Sequence, residues 1–150
     1  MSDLRELYQE VILDHNKNPR NFRQIPDADH TADGNNPLCG DQVSIYINIE
    51  NGVIRDISFQ GQGCAISKAS ASLMTTVLKG KTEAEAEAVF EKFRALVTSD
   101  TDSEPNVEGL GKLAVFSGVR EYPARVKCAS LAWHTMEAAL RTTEKPVSTE

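Results

Sequence analysis

Residues 43–61, VSIYINIENGVIRDISFQG, decide the fold. In the first half of this stretch, apolar side chains alternate with polar ones or with a tyrosine, as in a strand that buries one face. The dipeptide Asn51–Gly52 favours a type I′ turn, and VIRDISFQG then returns as a second strand. The stretch therefore predicts a β-hairpin. Because its strands are antiparallel, the start of the first lies beside the end of the second.

Helical periodicity flanks the hairpin on both sides. An amphipathic helix is expected near the amino terminus, ending ahead of Pro19, and a second is expected between Cys64 and Gly80. Between the first helix and the hairpin the chain is polar and turn-rich. The region 28–36 is a candidate for a third strand.

Two further helices are predicted in the second half of the chain. Thr82 and Glu85 have the spacing of a capping box, which marks the start of a helix. Residues 98–106, TSDTDSEPN, are typical of an acidic solvated loop. Pro123 is placed to open a last helix that runs to about Arg141, since proline is favoured at the first helical position.

These elements predict an α+β domain. Its small antiparallel sheet of about three strands would be covered on one face by helices. We expect a single domain over residues 1–142, because no linker divides the chain and no repeat is visible, and a flexible tail over residues 143–150.

Composition narrows the classes of function. The chain has 150 residues and a formal net charge of −6, which argues against nucleic acid as the main partner. No apolar run approaches the roughly twenty residues that span a bilayer, so a membrane protein is not expected. The opening MSDLRELYQE lacks the features of an export signal, and we expect a cytoplasmic protein.

The chain contains 3 cysteines. An odd number in a reducing compartment favours a metal or reactive-thiol site over disulfides. Cys39 precedes the first hairpin strand and Cys64 follows the second, so the hairpin brings them to the same edge of the sheet. Cys64 and Cys128 both fall near predicted helix amino termini, where the helix dipole favours an anionic sulfur. The sequence thus predicts one site assembled by the fold.

Asp41 adds a carboxylate to this set. Three cysteine sulfurs and one aspartate oxygen can form a tetrahedral zinc site in which the carboxylate is the most easily displaced ligand. Arg125 lies one helical turn before Cys128 and supplies a nearby cation. We include Arg125 as a supporting residue of the site.

Each of these residues also has a purely structural interpretation. A single cysteine is equally consistent with a small buried hydrophobic side chain. Asp41 is consistent with a turn cap, and Arg125 with a solvated helix residue. His30 is a rival metal ligand.

Four segments resemble the U-type iron–sulfur cluster assembly family, which comprises the NifU amino-terminal domain, IscU and SufU. LYQEVILDHNKNPRNF resembles the opening helix and turn of the family, and NPLCGD, GQGCAISKASAS and RVKCASLAW resemble its three cysteine motifs in order. Two departures favour the SufU-like branch. Lys127 stands where IscU has a histidine, and YPARVK replaces the Leu-Pro-Pro-Val-Lys stretch that a chaperone binds.

The resemblance implies a zinc-bound sulfur acceptor that works with a pyridoxal-phosphate cysteine desulfurase of the SufS type. Cys39, Asp41, Cys64 and Cys128 would bind zinc. Cys39 would be the acceptor, freed when a histidine of the desulfurase replaces it on the metal. The sulfur would pass on to a downstream iron–sulfur scaffold or apo-protein. In this interpretation the chain is a sulfurtransferase-like carrier of sulfur and an activator of the cysteine desulfurase, and whether it counts as an enzyme stays open.

Two alternatives stay open. The same four residues suit a scaffold on which a transient [2Fe-2S] cluster is assembled and transferred. They also suit a structural zinc module that only holds the loops together.

Overall fold

The computed structural model describes residues 2–37, 40–100, 102, 106–141 and 147–148, with side chains described from residue 9 onward except in the last pair. Its sheet contains the predicted hairpin, formed by β2 (Asp41–Glu50) and β3 (Val53–Gln62). The predicted third strand is β1 (His30–Asn36), antiparallel to β2. The α+β prediction with three antiparallel strands is confirmed.

A fourth, two-residue strand extends the sheet. This strand, β4 (Val147–Ser148), pairs in parallel with β1 and gives the order β3-β2-β1-β4. It lies inside the stretch predicted as a flexible tail, most of which falls outside the described residues. A two-residue segment has no alternation by which a strand can be recognised in the sequence.

The turn of the hairpin has the predicted geometry. Asn51 and Gly52 have φ angles of 55° and 77°, so both central residues adopt the left-handed conformation that a type I′ turn requires. The turn pairs Glu50 with Val53, and a one-residue shift in register between Asn48 and Ile49 then sets the pairing in which Ile45 faces Phe59 and Ile47 faces Ile57. The apolar side chains of both strands therefore point to the same face of the sheet.

Helices cover this apolar face. They are α1 (Ser2–Lys17), α2 (Ala65–Leu78), α3 (Glu83–Thr98), a 3₁₀ helix (Gly111–Glu121) and α4 (Pro123–Leu140). Helix α4 packs over β1 and β2, and α2 packs beside β3 and against α4. No described helix is long and apolar enough to cross a bilayer.

The centre of the core lies around Trp133 on α4. Its ring stacks on Phe93 at a centroid distance of 4.8 Å, and its indole N–H donates to Ser70 Oγ at 3.1 Å. The hydroxyl of Ser70 in turn donates to the carbonyl oxygen of Ala129 at 2.6 Å. Because these bonds join α2 to α4, they fix the two helices that carry Cys64 and Cys128 relative to each other.

Candidate metal centre

Three of the predicted site residues converge where β2 begins and β3 ends. Asp41 is the first residue of β2, Cys64 precedes α2, and Cys128 lies in the second turn of α4. One ligand atom from each lies within 4.8 Å of the others. In the part of the chain that the structure describes, no other group of histidine, cysteine or acidic residues comes together in this way.

The Asp41 carboxylate is fully buried and held by two donors. Its Oδ1 accepts the backbone N–H of Cys64 at 2.9 Å, and its Oδ2 lies 3.4 Å from Nδ2 of Asn36. Gly63 permits this close packing, because a Cβ at this position would collide with Oδ1 of Asp41. The carboxylate is therefore fixed beside the first turn of α2.

Cys64 is the N-cap of α2. Its sulfur accepts the backbone N–H of Ser67 at 3.4 Å, and the first turn of the helix contains no acidic residue. The predicted position of Cys64 at a helix amino terminus is confirmed. The positive end of the helix dipole therefore faces a sulfur that it favours as an anion.

Cys128 is buried and approached by a residue that the sequence analysis missed. Asn36 Nδ2 lies 3.6 Å from Cys128 Sγ as well as beside Asp41. Asn36 is fully buried, and its Oδ1 has no hydrogen-bond partner among the described residues. No local pattern marks it, because its contacts depend on how β1 aligns with β2 and α4.

Arg125 lies beside the two described thiols. The negative charge of Cys64, followed by that of Cys128, raises the pKa of Arg125 above its ordinary value, and Cys128 also accepts a hydrogen bond from its side chain. Arg125 is exposed, so its guanidinium is accessible from solution. Its supporting role stays a prediction.

Cys39 lies outside the described residues, together with Leu38. Residues 37–40 join β1 to β2, and Asn36 pairs with Asp41 as the last partners of that ladder. Cys39, the predicted fourth ligand, thus belongs to the connection that begins after Asn36 and ends before Asp41.

The histidines do not join the cluster. His30 Nδ1 lies 3.0 Å from the carbonyl oxygen of Ala139, so the structure gives no support to His30 as a rival ligand. His134 packs edge-on against Phe90 and is not part of the group formed by Asp41, Cys64 and Cys128.

The donor set fits a thiolate-binding metal. Two cysteine sulfurs and a buried carboxylate suit zinc or iron, whereas Mg²⁺ and Ca²⁺ prefer oxygen alone. The fold and the site together define a small α+β protein with a group of two thiols and one carboxylate that could hold a metal ion.

Comparison with known proteins identifies the family. Residues 7–142 match the family described as NifU-like N terminal domain. The chain belongs to this family, the U-type iron–sulfur cluster assembly proteins, and the resemblance drawn from its cysteine motifs is confirmed.

Individual relatives cover nearly the whole chain. "Zinc-dependent sulfurtransferase SufU" of Bacillus subtilis is 38% identical over 91% of this chain and 90% of its own length. "Iron-sulfur cluster assembly scaffold protein IscU" of Streptococcus pyogenes is 37% identical over 94% of this chain and 87% of its own. The crystal structure of FiSufU from Fervidobacterium islandicum AW-1 superposes with a TM-score of 0.80 at 36% identity, over 87% of this chain and 94% of that one.

Proposed function

We propose that this protein accepts sulfur from a cysteine desulfurase at a zinc-bound site and passes it on for iron–sulfur cluster assembly. The observation that carries the proposal is the convergence of Asp41, Cys64 and Cys128 beside the connection that holds Cys39. The similarity to a relative named as a zinc-dependent sulfurtransferase supports it. Zinc is redox-inactive and keeps a coordinated thiol deprotonated, so when bound it would supply a protected thiolate.

The sulfur transfer is a thiol–disulfide type of exchange. The Cys39 thiolate attacks the terminal sulfur of the persulfide on the desulfurase, and a new S–S bond forms on Cys39. The S–S bond of the donor persulfide breaks, and the cysteine of the desulfurase leaves as a thiolate. No electrons enter or leave the pair of proteins, so the step needs no external oxidant or reductant.

The other residues have distinct roles in this proposal. Asp41, Cys64 and Cys128 would hold the metal while Cys39 reacts. They suit this role because Asp41 and Cys128 are buried and Cys64 is fixed as a helix cap. Arg125 would balance the negative charge of the sulfurs or contact the partner, as its exposure and its proximity to Cys64 and Cys128 allow.

The proposed partners are a pyridoxal-phosphate cysteine desulfurase of the SufS type and a downstream scaffold or apo-protein. A cytoplasmic location also stays a prediction. Nucleic acid is not proposed as a partner because the net charge is −6.

The test is desulfurase turnover with the zinc-loaded protein and with its Cys39→Ala variant. We expect stimulation by the wild type, loss of stimulation in the variant, and an added mass of about 32 Da on Cys39, the mass of one persulfide sulfur. Leu38→Ala, the neighbouring substitution, is the matched control and should retain stimulation. Equal stimulation by Cys39→Ala would exclude the acceptor role and favour a purely structural zinc.

A scaffold function is the second candidate. It is supported by relatives named as IscU scaffolds, whose identity to this chain is close to that of the sulfurtransferase. Anaerobic reconstitution with iron and sulfide separates the two functions. A stable cluster that transfers to an apo-acceptor, together with no stimulation by the zinc form, would favour the scaffold.

A further inference from the structure

Asn36 occupies a position between two candidate ligands that come from different elements. It is the last residue of β1 and pairs directly with Asp41, the first residue of β2. Both side chains are fully buried. Cys128 reaches the same point from α4, which packs over β1 and β2.

A single amide nitrogen contacts both ligands. Nδ2 of Asn36 lies 3.4 Å from Oδ2 of Asp41 and 3.6 Å from Sγ of Cys128. An amide has two N–H groups, so it can donate to both acceptors at once. Its planar geometry then sets the spacing between the carboxylate and the sulfur.

The other end of the amide is poorly suited to a role in folding alone. Oδ1 of Asn36 is buried and has no partner among the described residues. A buried polar atom without a partner costs free energy of folding, and an apolar side chain of similar shape would avoid that cost. Asn36 is therefore expected to serve the site rather than the stability of the metal-free protein.

We propose that Asn36 is a positioning residue of the metal centre, whose amide holds Asp41 and Cys128 at the spacing that one metal ion requires. The proposal deepens the proposed function, since it takes zinc as the natural metal. Asn36 lies at the start of the connection that contains Cys39, and it contacts Asp41 and Cys128 but needs no contact with Cys39 itself. The two ligands that it orients would stay in place while Cys39 is engaged in sulfur transfer.

The first experiment measures zinc affinity by competition with a chromophoric chelator, using full-length protein without desulfurase. Residues that orient metal ligands typically change affinity by about 10–100-fold. We expect a loss of that size in Asn36→Leu. Asn35→Leu is the matched control, because successive side chains of a strand point to opposite faces, and it should bind zinc as the wild type does.

The second measurement separates positioning from folding. Asn36→Leu removes an Oδ1 that has no partner among the described residues, but it also leaves Oδ2 of Asp41 without its amide donor. Because these two effects on stability oppose each other, we expect the melting temperature of the metal-free variant to stay close to that of the wild type. Asn36→Ala, which cannot introduce a clash, should show the same loss of affinity and serves if the leucine variant does not fold. Unchanged zinc affinity in the alanine variant, or a loss fully explained by lower metal-free stability, would overturn the proposal.

Cobalt provides a readout that does not depend on the proposed function. Co²⁺ bound by cysteine sulfurs gives a charge-transfer absorption that reports the geometry of the thiolates. We expect this band to be altered by Asn36→Ala and not by Asn35→Leu. If the wild type does not stimulate a desulfurase but the cobalt band depends on Asn36, the sulfur-acceptor function fails and the positioning role stands; an unaltered band excludes the positioning role.

Discussion

Helices α2 and α3 start from nearly identical backbones but have different chemistry at their first residues. The N-cap Cys64 has φ and ψ of −71° and 167°, and the N-cap Thr82 has −75° and 164°. Thr82 and Glu85 form a reciprocal capping box, with hydrogen bonds of 2.9 and 3.1 Å. Cys64 instead accepts one N–H through sulfur at 3.4 Å.

The difference lies in what surrounds each cap. Around Thr82 the bonds are local, and the first turn of α3 contains Glu83 and Glu85, which favour the helix amino terminus. Around Cys64 the neighbours are distant in sequence, since Asp41 comes from β2 and Cys128 from α4. One helix start stabilises the fold, whereas the other is available to bind a metal.

The first test of this comparison is the Cys64→Ser variant, for which we expect the largest effect, a loss of metal binding. Serine is among the best N-cap residues, so the metal-free protein should keep its melting temperature. Zinc affinity should fall by at least about 100-fold, because roughly a quarter of the binding free energy of a four-ligand site is removed. Chelator competition and thermal melting measure the two quantities. A variant that binds zinc normally would mean that Cys64 is only a cap.

Gly63→Ala should disturb the same helix start by a different route. The added Cβ would collide with the Asp41 carboxylate, and overpacking of this kind typically costs about 1–3 kcal/mol of stability. We expect a lower melting temperature and zinc affinity reduced by about tenfold or more, which corresponds to about 1.4 kcal/mol. Gly118→Ala is the control, because a Cβ there meets no atom within 4 Å. Equal behaviour of the two alanine variants would contradict the close packing of Gly63 on Asp41.

Thr82→Ala, at the start of α3, should lower stability and leave zinc binding unchanged, which is the opposite of the result expected for Cys64→Ser. Loss of an N-cap typically lowers stability by about 1 kcal/mol. For a chain of this size that corresponds to a decrease of about 2–4 °C in melting temperature. Zinc affinity should not change, and Thr82→Ser should restore the melting temperature. A loss of zinc binding in Thr82→Ala would show that the two helix starts are coupled.

The smallest effect concerns the charge of Glu85. The backbone N–H of Thr82 donates to its carboxylate and lowers the pKa of Glu85 below its ordinary value of 4.5. Because the pKa is lower in the folded state, the charge stabilises the protein above pH 4.5, and this contribution is lost as the pH falls through the folded-state pKa.

Glu85→Gln should therefore melt slightly below the wild type at neutral pH, and the difference should vanish in acid. Melting of the zinc-free proteins across this pH range is the measurement. A difference that stays constant with pH would assign the effect to the hydrogen bond rather than to the charge.

The sequence was informative wherever the signal was local. Asn51–Gly52 specified the turn, Thr82 and Glu85 specified the capping box, and strand alternation identified the buried face of β2. Part of the site could also be predicted, because an antiparallel hairpin necessarily brings Asp41 next to the residues around Cys64.

The contacts that could not be predicted depend on how distant parts of the chain align with one another. Asn36 and Asn35 are identical in type, and only the pairing of β1 with β2 determines which of the two is buried beside Asp41. His15 lies in the last turn of α1, as its sequence position indicates, but its buried ring contacts Ser72 Oγ at 2.7 Å. That contact joins residues separated by 57 positions, which no local pattern reveals.

The exposed Asn51–Gly52 turn has a practical consequence. Strands β2 and β3 each contain 10 residues, and the metal centre lies at the opposite end of the hairpin from the turn. With a rise of about 3.3 Å per residue, the two ends are about 30 Å apart. A fluorophore or surface tether attached at the turn would therefore leave the metal end open to solution. Association with a partner protein could then be followed on an immobilised, uniformly oriented sample.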